Sequence, residues 1–205
     1  MRLDLGCGSR KNPGYYGLDR LPCDGVDQVC DLNDGLPFPD NSAVGIMASR
    51  VLPYVDNLAE VLSEVYRVCT HGAIVCILAP YAHHFAHASN PVFKHKFDEY
   101  TPRYLTHSFT QPPDGPAVPE LREYPPPPPP YDFRLLRMEL ICCAPFAPPF
   151  FEMEEVEVLK QLQANVVYEV LYHFIAVKRP VSAAELERAA RGELPEPVSL
   201  VRGVF

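Results

Sequence analysis

The sequence is short of positive charge. Lysine and arginine number 18 against 26 aspartates and glutamates, a formal net charge of −8 over 205 residues. A surface that tracks a polynucleotide needs a basic stripe to release counterions from phosphates, and the sequence offers none. No nucleic-acid partner is expected. Nor does any apolar run approach the roughly 20 residues that span a bilayer. Asp4 and Gly6 to Gly8 follow Met1 too closely for an apolar signal segment. The seven cysteines are odd in number and contain no CxxC pair, so neither a disulfide framework nor a zinc knuckle is expected. Cys30, Cys76, Cys142 and Cys143 lie in or beside apolar runs, where cysteine behaves as a small buried hydrophobe. These absences point to a globular protein of a reducing, cytoplasmic compartment.

What the sequence does have is an alternation of short apolar runs and helical periods. Arg2 to Leu5 reads as a strand running into Gly6-Cys7-Gly8. Tyr15 to Leu18 reads as a second strand closing on Asp19, and Val26 to Cys30 as a third closing on Asp31. Residues 36–42 form a loop, since two prolines and Asp-Asn-Ser break any regular period. Ala43 to Ala48 and Ala73 to Ala79 are buried strands, the second stopped by Pro80. Between them Leu58, Val61, Leu62, Val65 and Val68 recur at helical spacing. Asn57 is the expected N-cap of that helix and Gly72 the expected stop. Apolar strands alternating with helices predict an α/β fold with a doubly wound, mostly parallel sheet and helices on both faces.

The second half is less regular. Residues 81–109 hold five of the seven histidines, His83, His84, His87, His95 and His107. Residues 111–130 are dense in proline and end in Pro125 to Pro130, a run expected to adopt the extended polyproline II form. Phe133 to Cys143 reads as a strand, Met153 to Gln163 as a helix and Val166 to Val177 as a last strand. The two late strands predict a C-terminal antiparallel hairpin. Ser182 to Arg191 predicts a peripheral helix. One domain is expected over residues 1–180, with a helix and tail over 181–205.

The glycines after the first strand carry the chemistry. A ligand approaches backbone most closely where no side chain intervenes. The full GxGxxG pattern of dinucleotide sites is absent, because Ser9, Arg10 and Lys11 follow Gly8, and there is no Walker lysine pattern. The gap from Gly8 to Asp19 is too short for a crossover helix, whose N-terminus a pyrophosphate would need. S-adenosylmethionine has no phosphate and loses less, which favours it over NAD. Asp19, at the end of the second strand, can accept hydrogen bonds from two ribose hydroxyls. Asp31, at the end of the third, stands where an adenine amino group would lie.

Leu3-Asp4-Leu5-Gly6-Cys7-Gly8, Lys11-Asn12-Pro13-Gly14-Tyr15 and Gly17-Leu18-Asp19 together resemble the class I S-adenosylmethionine-dependent methyltransferases. The closer resemblance is to a small bacterial branch linked to sugar and cell-envelope biosynthesis. That branch continues with segments matched here by Asp31-Leu32, Leu36 to Ser42, Ser49-Arg50-Val51-Leu52 and Tyr66-Arg67-Val68. The resemblance covers residues 1–105 closely. It implies a Rossmann-like fold, S-adenosylmethionine as cofactor, and a donor site formed by Leu5, Gly6, Cys7, Gly8, Asp19, Asp31, Leu32 and Ser49. It further implies a small-molecule or glycan-linked acceptor, and leaves oligomeric state open. Two positions depart from the branch. Pro53-Tyr54 stands where a Glu-His pair is usual, and Asn90 to His95 replaces an Asp-Pro-x-His-x-Arg segment.

Residues 81–131, which include the proline-rich insertion, follow the fifth strand and are expected on the acceptor side. If transfer needs a base, His84 and His95 are the candidates, since histidine titrates near working pH. Two other readings stand beside this one. Pro53, Tyr54 and Phe93 suit a protein that binds the cofactor without catalysis. His83, His84, His87 and His95 at short spacing suit a metal-dependent enzyme, although no metal site is expected.

Overall fold

A computed structural model describes residues 1–121, 127–144, 146 and 150–202. In chain order the elements are β1 (Arg2–Leu5), β2 (Tyr16–Asp19), β3 (Gln28–Val29), β4 (Ala43–Ser49), α1 (Leu58–Val68) and β5 (Cys69–Pro80). They continue with α2 (Phe85–Ala88), β6 (Phe133–Cys142), α3 (Met153–Leu162), β7 (Val167–Ala176) and α4 (Ala183–Ala190). Pro125 and Pro126 of the proline run lie outside the described residues, and residues 127–130 join no helix or strand.

Seven strands form one sheet in the order β3-β2-β1-β4-β5-β7-β6. Strands β1 to β5 pair in parallel. β7 enters between β5 and β6 and runs antiparallel to both. The late strands are thus antiparallel, as their order in the sequence suggests. They are not a tight hairpin, because residues 143–166, with α3, separate them.

Strand alternation sends two sets of side chains to opposite faces. One face gathers Leu3, Leu5, Ile46, Val75, Ile77, Tyr172 and Phe174. α1 covers it, burying Val61, Leu62, Val65 and Val68. That helix starts where expected, with Asn57 Oδ1 accepting from the N–H groups of Ala59 (3.1 Å) and Glu60 (3.3 Å). Its end is different. The backbone turns extended at Cys69, and Gly72 lies within β5 at φ +84°. Ala43 faces Cys69 while Gly45 faces Ile74, so the extra residues bulge out, and glycine supplies the left-handed backbone there.

The opposite face is covered differently from the expectation of helices all round. The connections 6–15 and 20–27 contain no helix. Met47, Cys76, Leu78 and Leu171 pack instead with Tyr15 and Leu200. α4 lays Leu186, Ala189 and Ala190 against Leu136, Ile74 and Ile175. α4 thus lies at the periphery, with Ala190 its one buried residue, and the chain beyond it sets Leu194 and Leu200 against the sheet.

Candidate functional site

The parallel strands all end on one edge, and β1 ends in a glycine turn. Gly6 adopts φ +63°, and a Cβ there would fall 2.4 Å from Val51 Cγ2. Any other residue would push into the loop that follows β4. The turn is set from below by Asp4, whose Oδ2 accepts from both the backbone N–H (2.7 Å) and the Nδ2 (2.8 Å) of Asn12. Burial pushes the Asp4 carboxyl above its ordinary value, opposed by those bonds.

Gly8 N–H donates to Asp19 Oδ2 at 3.0 Å, and Leu21 N–H donates to Asp19 Oδ1 at 3.0 Å. Both oxygens are thereby fixed in place. Each carboxylate oxygen has two acceptor sites, so capacity for two ligand hydroxyls remains. Asp31 Oδ1 accepts from the Asn33 backbone (2.9 Å) and side chain (2.8 Å), capping the 3₁₀ turn Leu32–Asp34. Asn33 Oδ1 in turn accepts from Asp56 N–H at 2.7 Å.

These groups enclose a cavity of about 280 Å³, near the lower end of small-molecule sites. Of the expected donor residues Gly6, Asp19, Asp31 and Leu32 line it, together with Arg20, Leu21, Cys30 and Asn33. Arg50, Val51, Tyr54 and Val55 close the far wall. Arg50 is a non-glycine residue at φ +58°. Its Nε and Nη2 both bond the carboxylate of Glu169, which is 1% exposed, the Nη2 contact being 2.7 Å. Arg50 and Glu169 were not foreseeable, since they meet from strands 119 residues apart.

Four predicted donor residues do not line the cavity. Leu5 is wholly buried in the core. Cys7 turns inward, its N–H bonding Leu18 O at 3.1 Å and its thiol pushed up to about 11, chiefly by burial. Gly8 acts through Asp19. Ser49 Oγ lies 2.8 Å from Ser199 Oγ.

The two candidate bases separate. His84 caps α2, with Nδ1 accepting from Ala86 N–H at 3.3 Å. Its lone pair is thus in use, and Nε2 must carry the proton in the neutral ring. His95 is the reverse. Its Nε2 donates to the carbonyl of Val55 at 2.9 Å, which leaves the lone pair of the neutral ring on Nδ1. His95 lines a second hollow of about 650 Å³ with Asn57, Asp98, Tyr100, Tyr104 and Tyr131. The two sites share the Tyr54–Val55 turn, since both residues line the cavity and Val55 O holds His95.

The histidines form no metal centre. No group of three His, Cys, Asp or Glu among the described residues is placed to hold an ion. His83 reaches Asp98 at 3.4 Å, His84 and His87 pack 5.0 Å apart, and His95 is held by Val55. At the positions that depart from the branch, Tyr54 and Phe93 pack edge to face with centroids 5.1 Å apart. All seven cysteines are free thiols. No helix among the described residues is long and apolar enough to cross a membrane.

Residues 19–77, under a third of the chain, match the family model described as a methyltransferase domain. No curated protein sequence matches the chain. Among solved structures, it is similar to an S-adenosylmethionine-dependent methyltransferase from Archaeoglobus fulgidus. The identity is 15%, 85% of each chain is covered and the TM-score is 0.54. It is also similar to the Haloferax volcanii complex of a methyltransferase with the Trm112 methyltransferase activator. There the identity is 15%, the coverage 88% of this chain and 83% of that one, and the TM-score 0.50. The [4+2]-cyclase SpnF aligns over 39% of this chain and 38% of its own, at 19% identity and a TM-score of 0.33. The chain thus spans well under half of that protein's length.

Proposed function

We propose that the chain is an S-adenosylmethionine-dependent methyltransferase that binds its cofactor in the cavity between Gly6, Asp19, Asp31 and Val51. It would transfer the methyl group to a small or carbohydrate-linked acceptor. The observation that carries the donor site is Asp19, which lines the cavity with both oxygens held by backbone N–H groups. Asp19 would take the ribose hydroxyls, and Asp31 with Leu32 the adenine. The bound cofactor supplies an electrophilic methyl on a sulfonium. The chain's part is to hold the acceptor in line with it and to exclude water.

For the acceptor we favour the hollow beside His95. Tyr100 and Tyr104 are exposed there and offer flat apolar faces, and Asp98 offers a hydrogen-bond acceptor, a combination that suits a sugar or phenol. His95 Nδ1 would take the proton of the attacking hydroxyl or amine. The net charge of −8 disfavours a polynucleotide acceptor. The free thiols fit a reducing compartment.

Calorimetry with S-adenosylhomocysteine tests the donor site, and heat with NAD instead would refute it. Screening sugar, phenolic and small amine acceptors for release of S-adenosylhomocysteine tests transfer. His95→Ala should then lower turnover by about 10²-fold or more at unchanged cofactor affinity. His84→Ala should cost stability and leave most of the turnover. Tight cofactor binding without turnover on any acceptor would support a binding protein instead, a reading that the Tyr54–Phe93 packing favours.

A further inference from the structure

We propose that residues 193–202 are a strap that positions the donor site, so that docking of the strap and binding of the cofactor reinforce each other. The inference rests on the donor-site reading above.

Through consecutive residues the strap ties down the supports of the cavity's two lips, the glycine turn on one side and the Arg50–Val51 segment on the other. Val198 N–H donates to Asn12 Oδ1 at 2.8 Å. Asn12 is the residue whose other two polar groups grip Asp4 under the glycine turn. Both polar atoms of its side chain are then engaged, and Asp4 and Asn12 are both buried. On the other lip, Ser199 Oγ meets Ser49 Oγ at 2.8 Å, and Ser199 O accepts from Arg50 Nη2 at 3.2 Å. Arg50 sits in the left-handed region, a conformation that persists only when its surroundings over-determine it. Glu169 supplies one restraint on its guanidinium and the strap supplies another.

The strap is anchored away from the cavity. Arg202 bonds both oxygens of Glu139 on β6, at 2.6 and 2.8 Å, and also both oxygens of Glu196. His173 Nε2 donates to Pro195 O at 2.8 Å. Leu200 packs beneath β4 and β5 with Met47 and Leu78. None of residues 193–202 lines the cavity itself. Val198 and Ser199 are therefore positioning residues, acting through Asn12, Ser49 and Arg50.

A ligand seated between the lips favours the same spacing that the strap favours. Linkage then requires the converse, that the ligand tightens the strap. Hydrogen exchange on the full chain, with and without S-adenosylhomocysteine, reads this directly. Amides of residues 193–202 should slow by about fivefold or more when the ligand binds. Two variants read it from the other side. Ser199→Ala removes one lip contact conservatively, and Arg202→Glu loosens the anchor far from the cavity. Each should weaken S-adenosylhomocysteine binding by about fivefold or more, with the circular dichroism of the sheet retained. Normal ligand affinity in both variants, with strap exchange unmoved by ligand, would overturn the proposal and leave the donor site standing. Absence of any ligand binding to the unaltered protein would overturn both.

Discussion

Gly6→Ala tests the glycine turn through a single methyl group. At φ +63° an L-residue loses about 1–2 kcal/mol relative to glycine. The added Cβ also meets Val51 Cγ2 at 2.4 Å and Val51 Cβ at 2.5 Å, closer than such atoms can stand. Displacing a packed neighbour costs about 1–3 kcal/mol more. The sum, on the order of 2–5 kcal/mol, should appear in urea denaturation as a lower midpoint with an unchanged slope. Val51 also lines the cavity, so S-adenosylhomocysteine affinity should fall at least about tenfold, equivalent to about 1.4 kcal/mol. The second partner separates clash from backbone strain. Val51→Ala keeps the Cβ that stands 2.5 Å away and should give little recovery. Val51→Gly removes both blocking atoms and should recover the clash, leaving the left-handed cost. Wild-type stability and affinity in Gly6→Ala, or equal rescue by both partners, would refute the reasoning.

Asp19→Ala should weaken S-adenosylhomocysteine by roughly 1.5–3 kcal/mol, the scale of hydrogen bonds to a charged group, and calorimetry on a folded variant showing no change would remove Asp19 from the site. Asp19→Asn should be nearly as harmful, because its amide must turn donors toward Gly8 N–H or Leu21 N–H. Burial holds His84, His87 and His173 below the ordinary histidine value, so the unfolded chain takes up their protons first. Their stabilising effect is complete above about pH 6.5 and is lost as pH falls below it, so the melting temperature should drop between pH 7 and 5.5. His87→Gln should flatten that drop, since His87 Nε2 is buried without a partner among the described residues; a flat profile in the unaltered protein would contradict the burial argument. Filter binding at physiological salt should find only background affinity for duplex or single-stranded nucleic acid.

Local physics made much of the fold legible. Apolar run length located every strand of the sheet within a few residues, and Asn57 announced its helix because a cap depends on neighbours alone. Gly72 misled because glycine ends a helix and opens a bulge by the same backbone freedom. Asp19 and Asp31 were readable as strand-end acids. The far wall was not, since Arg50 gains its meaning from Glu169 and Ser199, which periodicity cannot bring near. Nor could spacing choose between His84 and His95. The choice lies in which ring nitrogen the backbone claims, and that depends on where Ala86 and Val55 end up.

The late covering of one sheet face has a consequence for how the protein is made. Ser199 meets Ser49 across 150 residues and Val198 meets Asn12 across 186. A ribosome adding about 5–20 residues per second takes roughly ten seconds to pass from Leu78 to Leu200. Throughout that interval Met47, Cys76 and Leu78 have Tyr15 beside them but lack Leu171 and Leu200, although the strands that carry them are already made. The nascent chain therefore presents a sticky apolar surface to chaperones and to neighbouring nascent chains. Slow codons placed late in the message would lengthen that exposure, and the yield of folded protein should follow their placement.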